Sequence, residues 1–158
     1  MKRFLVVLVV TLNLVLVDAV VKEVAAGCLK ASAAVSVIPN LFDLAYVENC
    51  GCAWGMFQGH VWPLAVFGLL ALAFLVWRRK DVFGSGRLAA FAEPMLYAGI
   101  VGNVIDRLFR GYVIDMFDFH WGPHHFPCFN VADSLICVAV GLMLLASLCQ
   151  KDRKEGPK

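Results

Sequence analysis

Four long apolar stretches alternate with polar segments along the chain, at approximately residues 4–21, 61–77, 88–109 and 129–149. Each is long enough to cross a bilayer as a helix. Between the first two lies an outer segment from Lys22 to His60. Its "VSVIPNLFDLAYVEN", Val35–Asn49, partly alternates β-branched and aromatic residues with polar ones. That is a strand signal, broken at Pro39-Asn40. A short link with Gly84, Ser85 and Gly86 turns the chain into the third stretch, where Pro94 predicts a kink or a late start to the regular helix. Tyr112–Cys128 reads as a loop joining the third and fourth stretches. The pattern predicts a single membrane all-α domain over residues 1–158. It has four transmembrane helices, a small β-rich cradle over about 31–58, and an outer loop between helices three and four.

Composition supports lipid as the solvent. Hydrophobic residues make up 61% of the chain and charged residues 16%, against about 45–50% and about 25% in ordinary globular proteins. A chain of this size could not bury so much apolar surface in water. The net charge is only +2, but its placement is informative. Lys2, Arg3, Arg78, Arg79, Lys80, Arg87, Lys151, Arg153, Lys154 and Lys158 fall on one side of the predicted spans. Only Lys22, Lys30, Arg107 and Arg110 fall on the other. The positive-inside rule then puts both termini in the cytoplasm. These basic clusters read as topology signals rather than nucleic-acid sites. The opening "MKRFLVVLVVTLNLVLVDAV" imitates a secretory signal, yet it carries Asn13 and lacks a clean small-x-small cleavage site. It reads as a retained first helix.

Polar groups at helix ends in lipid are functional candidates by default. The third stretch ends in "GNVIDRLF" and the fourth begins "FNVADS", each with Asn-Val-x-Asp. The i,i+3 spacing puts Asn103 with Asp106 on one helical face, and Asn130 with Asp133 on another. Asp115 lies between them, and Asp18 precedes Lys22 by four residues. Two facing carboxylates can share one proton. One can then activate water while the other polarises a carbonyl, which is general acid–base hydrolysis of an amide. Simpler readings exist for each residue. Asp133 with Ser134 could cap the fourth helix, Asp106 with Arg107 could form an interfacial ion pair, and Asp18 with Lys22 a helix salt bridge. Asp118 reads as a solvated loop residue, and His120, His124 and His125 as interfacial or surface histidines. Cys28, Cys50, Cys52 and Cys128 fall on the outer side, which leaves open a four-helix thiol–quinone oxidoreductase or structural disulfides. Cys137 and Cys149 read as packing residues.

"YAGIVGNVIDRLFRGYVIDMFDF" followed by "FPCFNVADSLI" closely resembles the lipoprotein signal peptidases, or signal peptidase II. The resemblance covers nearly the whole chain: Asp-x-x-x-Lys ending helix one, an Asn-x-Gly segment before helix two, Gly-Asn-x-x-Asp-Arg in helix three and Phe-Asn-x-Ala-Asp-Ser opening helix four. It implies an intramembrane aspartic endopeptidase that removes the signal peptide of diacylglyceryl-modified prolipoproteins, cutting on the amino side of the lipidated cysteine. It implies Asp115 and Asp133 as the catalytic pair. Asp18, Lys22, Asn49, Gly51, Asn103, Asp106, Arg107 and Asn130 would support them or the substrate. It further implies no metal or cofactor, inhibition by globomycin-type cyclic peptides, and a monomer. The expected location is the bacterial inner membrane, with the cradle periplasmic and the active site near the outer leaflet. The sequence departs from the family at "CGCAWGMF", with Cys52, Trp54 and Gly55, and at Cys128, where a small residue is common.

Overall fold

The computed structural model describes residues 2–84 and 86–155, with side chains up to residue 149. Ser85 of the predicted turn and Lys158 of the basic tail lie outside the described residues, as do the side chains of Lys151, Arg153 and Lys154. Five helices and a small sheet follow in the order α1 (Lys2–Leu29), β1 (Val35–Ile38), β2 (Phe42–Asn49), a 3-10 turn (Ala53–Gly55), α2 (Val61–Trp77), α3 (Arg79–Phe83), α4 (Arg87–Phe109), β3 (Val113–Trp121), β4 (His124–His125) and α5 (Val131–Glu155). Three of them, Lys2–Leu29, Arg87–Phe109 and Val131–Cys149, are long and apolar enough to cross a membrane. The apolar α2 is shorter.

The outer faces of the helices are apolar, and polar side chains lie inside beside an apolar core that includes Ala92, Leu96 and Ile114. Large apolar side chains face outward along α1, α2 and α5, among them Leu16, Phe67, Leu70 and Leu144. The buried set also includes Asp18, Lys22, Glu93, Asn103, Asp106, Asp115 and Asn130. An exposed apolar surface of this extent needs a covering, and a buried polar set needs internal partners. The first is the surface of a chain with helices apolar enough to cross a membrane, and the side-chain networks described below supply the second.

Helix α4 is the central element and packs on α1, α2 and α5. Small residues permit the approach, because helices in lipid associate by close packing rather than by hydrophobic exclusion from water. A Cβ at Gly99 would lie 2.4 Å from the Ala132 carbonyl of α5, and one at Gly102 would lie 2.5 Å from Oδ2 of Asp18 on α1. At the basic end of the helices, fully buried Glu93 receives Arg3 of α1 and Arg79 of α3 at 3.0 and 2.7 Å. Arg3 also donates to the Gly84 carbonyl. Pro94 sits within a continuous α4 rather than ending it.

Two expectations are corrected. The first helix does not stop near residue 21 but continues to Leu29. Its 28 residues rise about 42 Å, more than the roughly 30 Å of a hydrocarbon core. The excess turns are held by packing of Ala25, Ala26 and Leu29 with Ile114, Met116, Tyr46 and Phe117. The segment Tyr112–Cys128 is not a simple loop. Its first part is β3, which pairs antiparallel with β2 in a sheet of order β1-β2-β3-β4. Val113 to Met116 are all buried, so the start of this strand lacks the alternation by which strands are recognised, whereas Phe117–Trp121 alternates apolar and polar residues. The Pro39-Asn40 break holds: it separates β1 from β2, with Asn40 left-handed at φ 60°.

Gly99→Leu should force the α4–α5 contact apart and cost about 1–3 kcal/mol. A lowered thermal unfolding midpoint of the detergent-solubilised protein checks this.

Candidate active site

The helix-end polar residues converge at the sheet end of α4. Lys22 Nζ, fully buried, lies 2.8 Å from Asp18 Oδ2 and 3.0 Å from Asp106 Oδ2. Its third contact is Asn103 Oδ1, at 3.2 Å. Asp18 turns its other oxygen to the Ala132 N–H, 2.8 Å away in the first turn of α5. Asp106 accepts from the Ile114 N–H of β3 and from Arg110. One ammonium and two carboxylates thus join α1, α4, α5 and β3.

The same ammonium orients the next group. A lysine can only donate, so Asn103 must turn its carbonyl oxygen towards it and its amide NH₂ the other way. That NH₂ donates to Asp133 Oδ1 at 2.7 Å. Asp133 and Asn130 also close a reciprocal cap on α5. The Asp133 N–H donates to Asn130 Oδ1 at 2.9 Å, and the Asn130 N–H to Asp133 Oδ2 at 3.3 Å. The second Asn-x-x-Asp is therefore a capping box, and the cap fixes the carboxylate in place. Asn130 Nδ2 then reaches Asp115 Oδ1 at 2.7 Å, and Asn49 Nδ2 reaches Asp115 Oδ2 at 2.9 Å. Asn49 Oδ1 accepts from the Gly51 N–H, and the Gly51 carbonyl accepts from Arg107. Arg107 closes the circuit on the Asn103 carbonyl.

All ten residues singled out in the sequence fall in this one network. They do not all face the same space. Asp115 and Asp133 line a cavity of about 400 Å³ with Asn49, Asn103 and Arg107, whereas Asp18, Lys22 and Asp106 stand behind it. Asp106 is not an ion pair with Arg107: it serves Lys22 and Arg110, while Arg107 serves backbone carbonyls. Burial pushes the Asp115 carboxyl up to about 7; the Asp133 charge adds to this, and hydrogen bonds from Asn49 and Asn130 oppose it. Arg110, the Ala132 and Ile114 amides and the close approach at Gly102 were not singled out. A "GIVGN" spacing just before Asn103 was the available signal for the last.

The remaining cavity wall is largely apolar, with Val113, Phe129 and Ile136. Trp54 stands at the rim with φ 62°, 70% exposed, its ring edge-on to Phe126 at 5.7 Å. All six cysteines are free. Cys52, Cys128 and Cys137 line the cavity singly, and burial pushes the Cys128 thiol up to about 12, keeping it neutral. Cys137 and Cys149 are exposed on α5, not packed inside. Asp118 is not a solvated loop residue: it lies in β3, with His125 Nδ1 2.9 Å away. His120 is not a surface residue either. Its side chain is 11% exposed and its Nε2 lies 3.3 Å from Asp43, close but not aligned as a hydrogen bond. Among the described residues no three of His, Cys, Asp or Glu are grouped to hold a metal ion.

Apolar helices outside, a hydrogen-bonded polar network inside and a cavity at the sheet end define a multi-pass membrane protein with an internal polar site. The sequence matches the family description Signal peptidase (SPase) II over residues 10–149. The chain belongs to the signal peptidase II family, the proteases of lipoprotein processing. It is 39% identical over 147 residues to the lipoprotein signal peptidase of Syntrophotalea carbinolica, covering 91% of each chain. To that of Clostridium acetobutylicum it is 37% identical over 145 residues, covering 90% of this chain and 93% of the relative. Its fold is similar to that of a bacterial membrane enzyme solved by the in meso method, with a TM-score of 0.84 at 29% identity over 97% of this chain and 93% of that one. A second such structure gives a TM-score of 0.76 at 30% identity, over 90% and 92%. These likenesses give no support to a thiol–quinone oxidoreductase.

Lys22→Met should leave Asp18 and Asp106 as buried charges without their shared cation. Thermal or denaturant unfolding should register a loss of about 3–5 kcal/mol.

Proposed function

We propose that this chain is an intramembrane aspartic endopeptidase in which Asp115 and Asp133 cleave diacylglyceryl-modified prolipoproteins on the amino side of the lipidated cysteine. One observation carries the reading: these are the two aspartates that line the cavity, joined through Asn130 and Asn103. Asp115 holds the proton of the pair at neutral pH, consistent with its raised value and its burial. Asp133, held by donors from Asn103 and Asn130, serves as the base.

The scissile amide lies between the two carboxyls. Asp133 takes a proton from water as the oxygen attacks the carbonyl carbon, and Asp115 donates a hydrogen bond to the carbonyl oxygen as charge builds there. The tetrahedral species collapses with cleavage of the C–N bond. The proton held by Asp133 goes to the leaving amine of the lipidated cysteine, so no covalent intermediate forms. The Arg107 charge beside the cavity further stabilises the developing oxyanion. Asp18, Lys22, Asp106, Asn49 and Gly51 act by positioning.

The wider reading follows from the same features. Residues 1–158 form one peptidase domain, with spans at about 4–21, 61–77, 88–109 and 129–149, the shorter α2 counted among them. The basic end lies in the cytoplasm with both termini, and the sheet end lies at the outer leaflet of the inner membrane as a periplasmic cradle. The monomer receives its substrate laterally from lipid, with acyl chains along the apolar helix faces. Globomycin-type cyclic peptides occupy the same cavity.

Purified Asp115→Asn and Asp133→Asn proteins should fold and lose at least about a thousandfold in cleavage of a lipidated precursor, the scale expected when a catalytic group is removed. Full activity in either sinks the assignment. Asp106→Asn should differ in kind, lowering stability more than the rate of the folded fraction. Because the working form keeps one proton on the pair, kcat/KM should fall about tenfold per pH unit above about 7. A pH–rate profile that stays level to pH 9 would contradict the protonated role of Asp115.

A further inference from the structure

Helices α1 and α2 both pack on α4 but scarcely touch each other. The gap between them is a slot of about 260 Å³, lined by Phe4, Leu8 and Thr11 of α1, Leu72 and Val76 of α2 and Val101 of α4. Phe4, Leu8 and Val76 are exposed, so the slot opens on the outer face of the helices. Along it α1 rises about 10 Å from Phe4 to Thr11, and α4 about 12 Å from Glu93 to Val101. Half of a hydrocarbon core is about 15 Å deep. The slot therefore has the depth of one acyl chain in one leaflet.

Its basic end is charged. Arg79 and fully buried Glu93 line it there. Glu93 takes two guanidiniums, Arg79 at 2.7 Å and Arg3 at 3.0 Å, so the trio carries one positive charge in excess. Arg79 turns Nε and Nη2 to the carboxylate, and its side chain stays 26% exposed beside the Phe4 ring. That leaves the Nη1 edge of the fork for a further acceptor. Nearby, Arg78 is matched by Asp81 at 2.7 Å. Lys2, Lys80 and Arg87 at the same helix ends make no ion pair among the described residues. A topology signal needs only the number of basic residues on one side. It does not need one of them held at the end of an apolar slot by a buried carboxylate.

We propose that this slot binds one anionic phospholipid, with an acyl chain between α1 and α2 and the headgroup phosphate on Arg79. A guanidinium presents a planar fork to phosphate oxygens. The surplus positive charge favours a headgroup of net negative charge over a zwitterionic one. The chain covers Phe4, Leu8 and Val76 where α1 and α2 lack each other, so the bound lipid joins the two helices. The site lies at the opposite end of the helices from Asp115 and Asp133, and its occupancy is read without any cleavage.

The test uses the purified full-length protein in neutral detergent, with phosphatidylglycerol or phosphatidylcholine of identical acyl chains. Native mass spectrometry should show one phosphatidylglycerol retained, at least about tenfold more tightly than phosphatidylcholine. Adding it should raise the thermal unfolding midpoint, because it binds the folded state alone. Val76→Trp fills the slot from its exposed side and should weaken retention at least about tenfold. Leu144→Trp, on the outer face of α5, should leave retention unchanged. In Arg79→Gln the preference between the two lipids should fall towards one. That ratio is taken within one preparation, so differences in folded fraction cancel. Equal retention of the two lipids by the unsubstituted protein overturns the proposal. So does a preference that survives Arg79→Gln, or a loss in Val76→Trp no greater than in Leu144→Trp.

Discussion

The buried ammonium of Lys22 is the interaction on which the site depends. An isolated charge in this environment would be prohibitively costly, so it must be surrounded by partners of opposite sign. Asp18 and Asp106 meet that requirement from α1 and α4, and each also accepts a backbone amide of a further element, Asp18 on its second oxygen and Asp106 on the same oxygen that meets Lys22. Charge neutralisation thereby becomes geometry. The ammonium fixes which way Asn103 points, and Asn103 fixes Asp133. A hydrophobic replacement at this position could pack, but it could not dictate the orientation of an amide.

The two cavity aspartates are held by unlike means. Asp133 belongs to a capping box, so the local preference of a helix start already sets its place. Asp115 has no such local reason. It sits in a strand whose neighbours on both sides are buried, and it depends on amides from Asn49 and Asn130, remote in sequence. The cost of burying it appears as a carboxyl that keeps its proton to about pH 7. A stability optimum would remove that cost; the proposed chemistry uses it.

Much of this was legible in the sequence. Apolar run lengths gave the long helices, and the paired Asn-x-x-Asp motifs, with Asp18, Lys22, Asn49, Gly51, Arg107 and Asp115, named most of the network's side chains, though not Arg110. What stayed hidden was partner choice. Adjacent Asp106 and Arg107 suggest each other, yet successive residues on a helix point in different directions, and each serves a different neighbour. Only the second half of strand β3, Phe117–Trp121, shows a period of two in the sequence, because its buried start has no polar alternation. The length of α1 was missed because Lys22 looks like the end of an apolar run. Its charge is cancelled inside the fold, so the helix has no reason to stop there.

The hydrogen bond from the Ala132 amide to Asp18 spans 114 positions of the chain. It joins α1, at the start of the described residues, to α5, at their end. Before α5 is in place, Asp133 is absent and Asp18 lacks the Ala132 amide, whereas Lys22 already has its partners on α1 and α4. On the proposed reading, the pair that cuts is therefore assembled only once α5 has packed against α1 and α4.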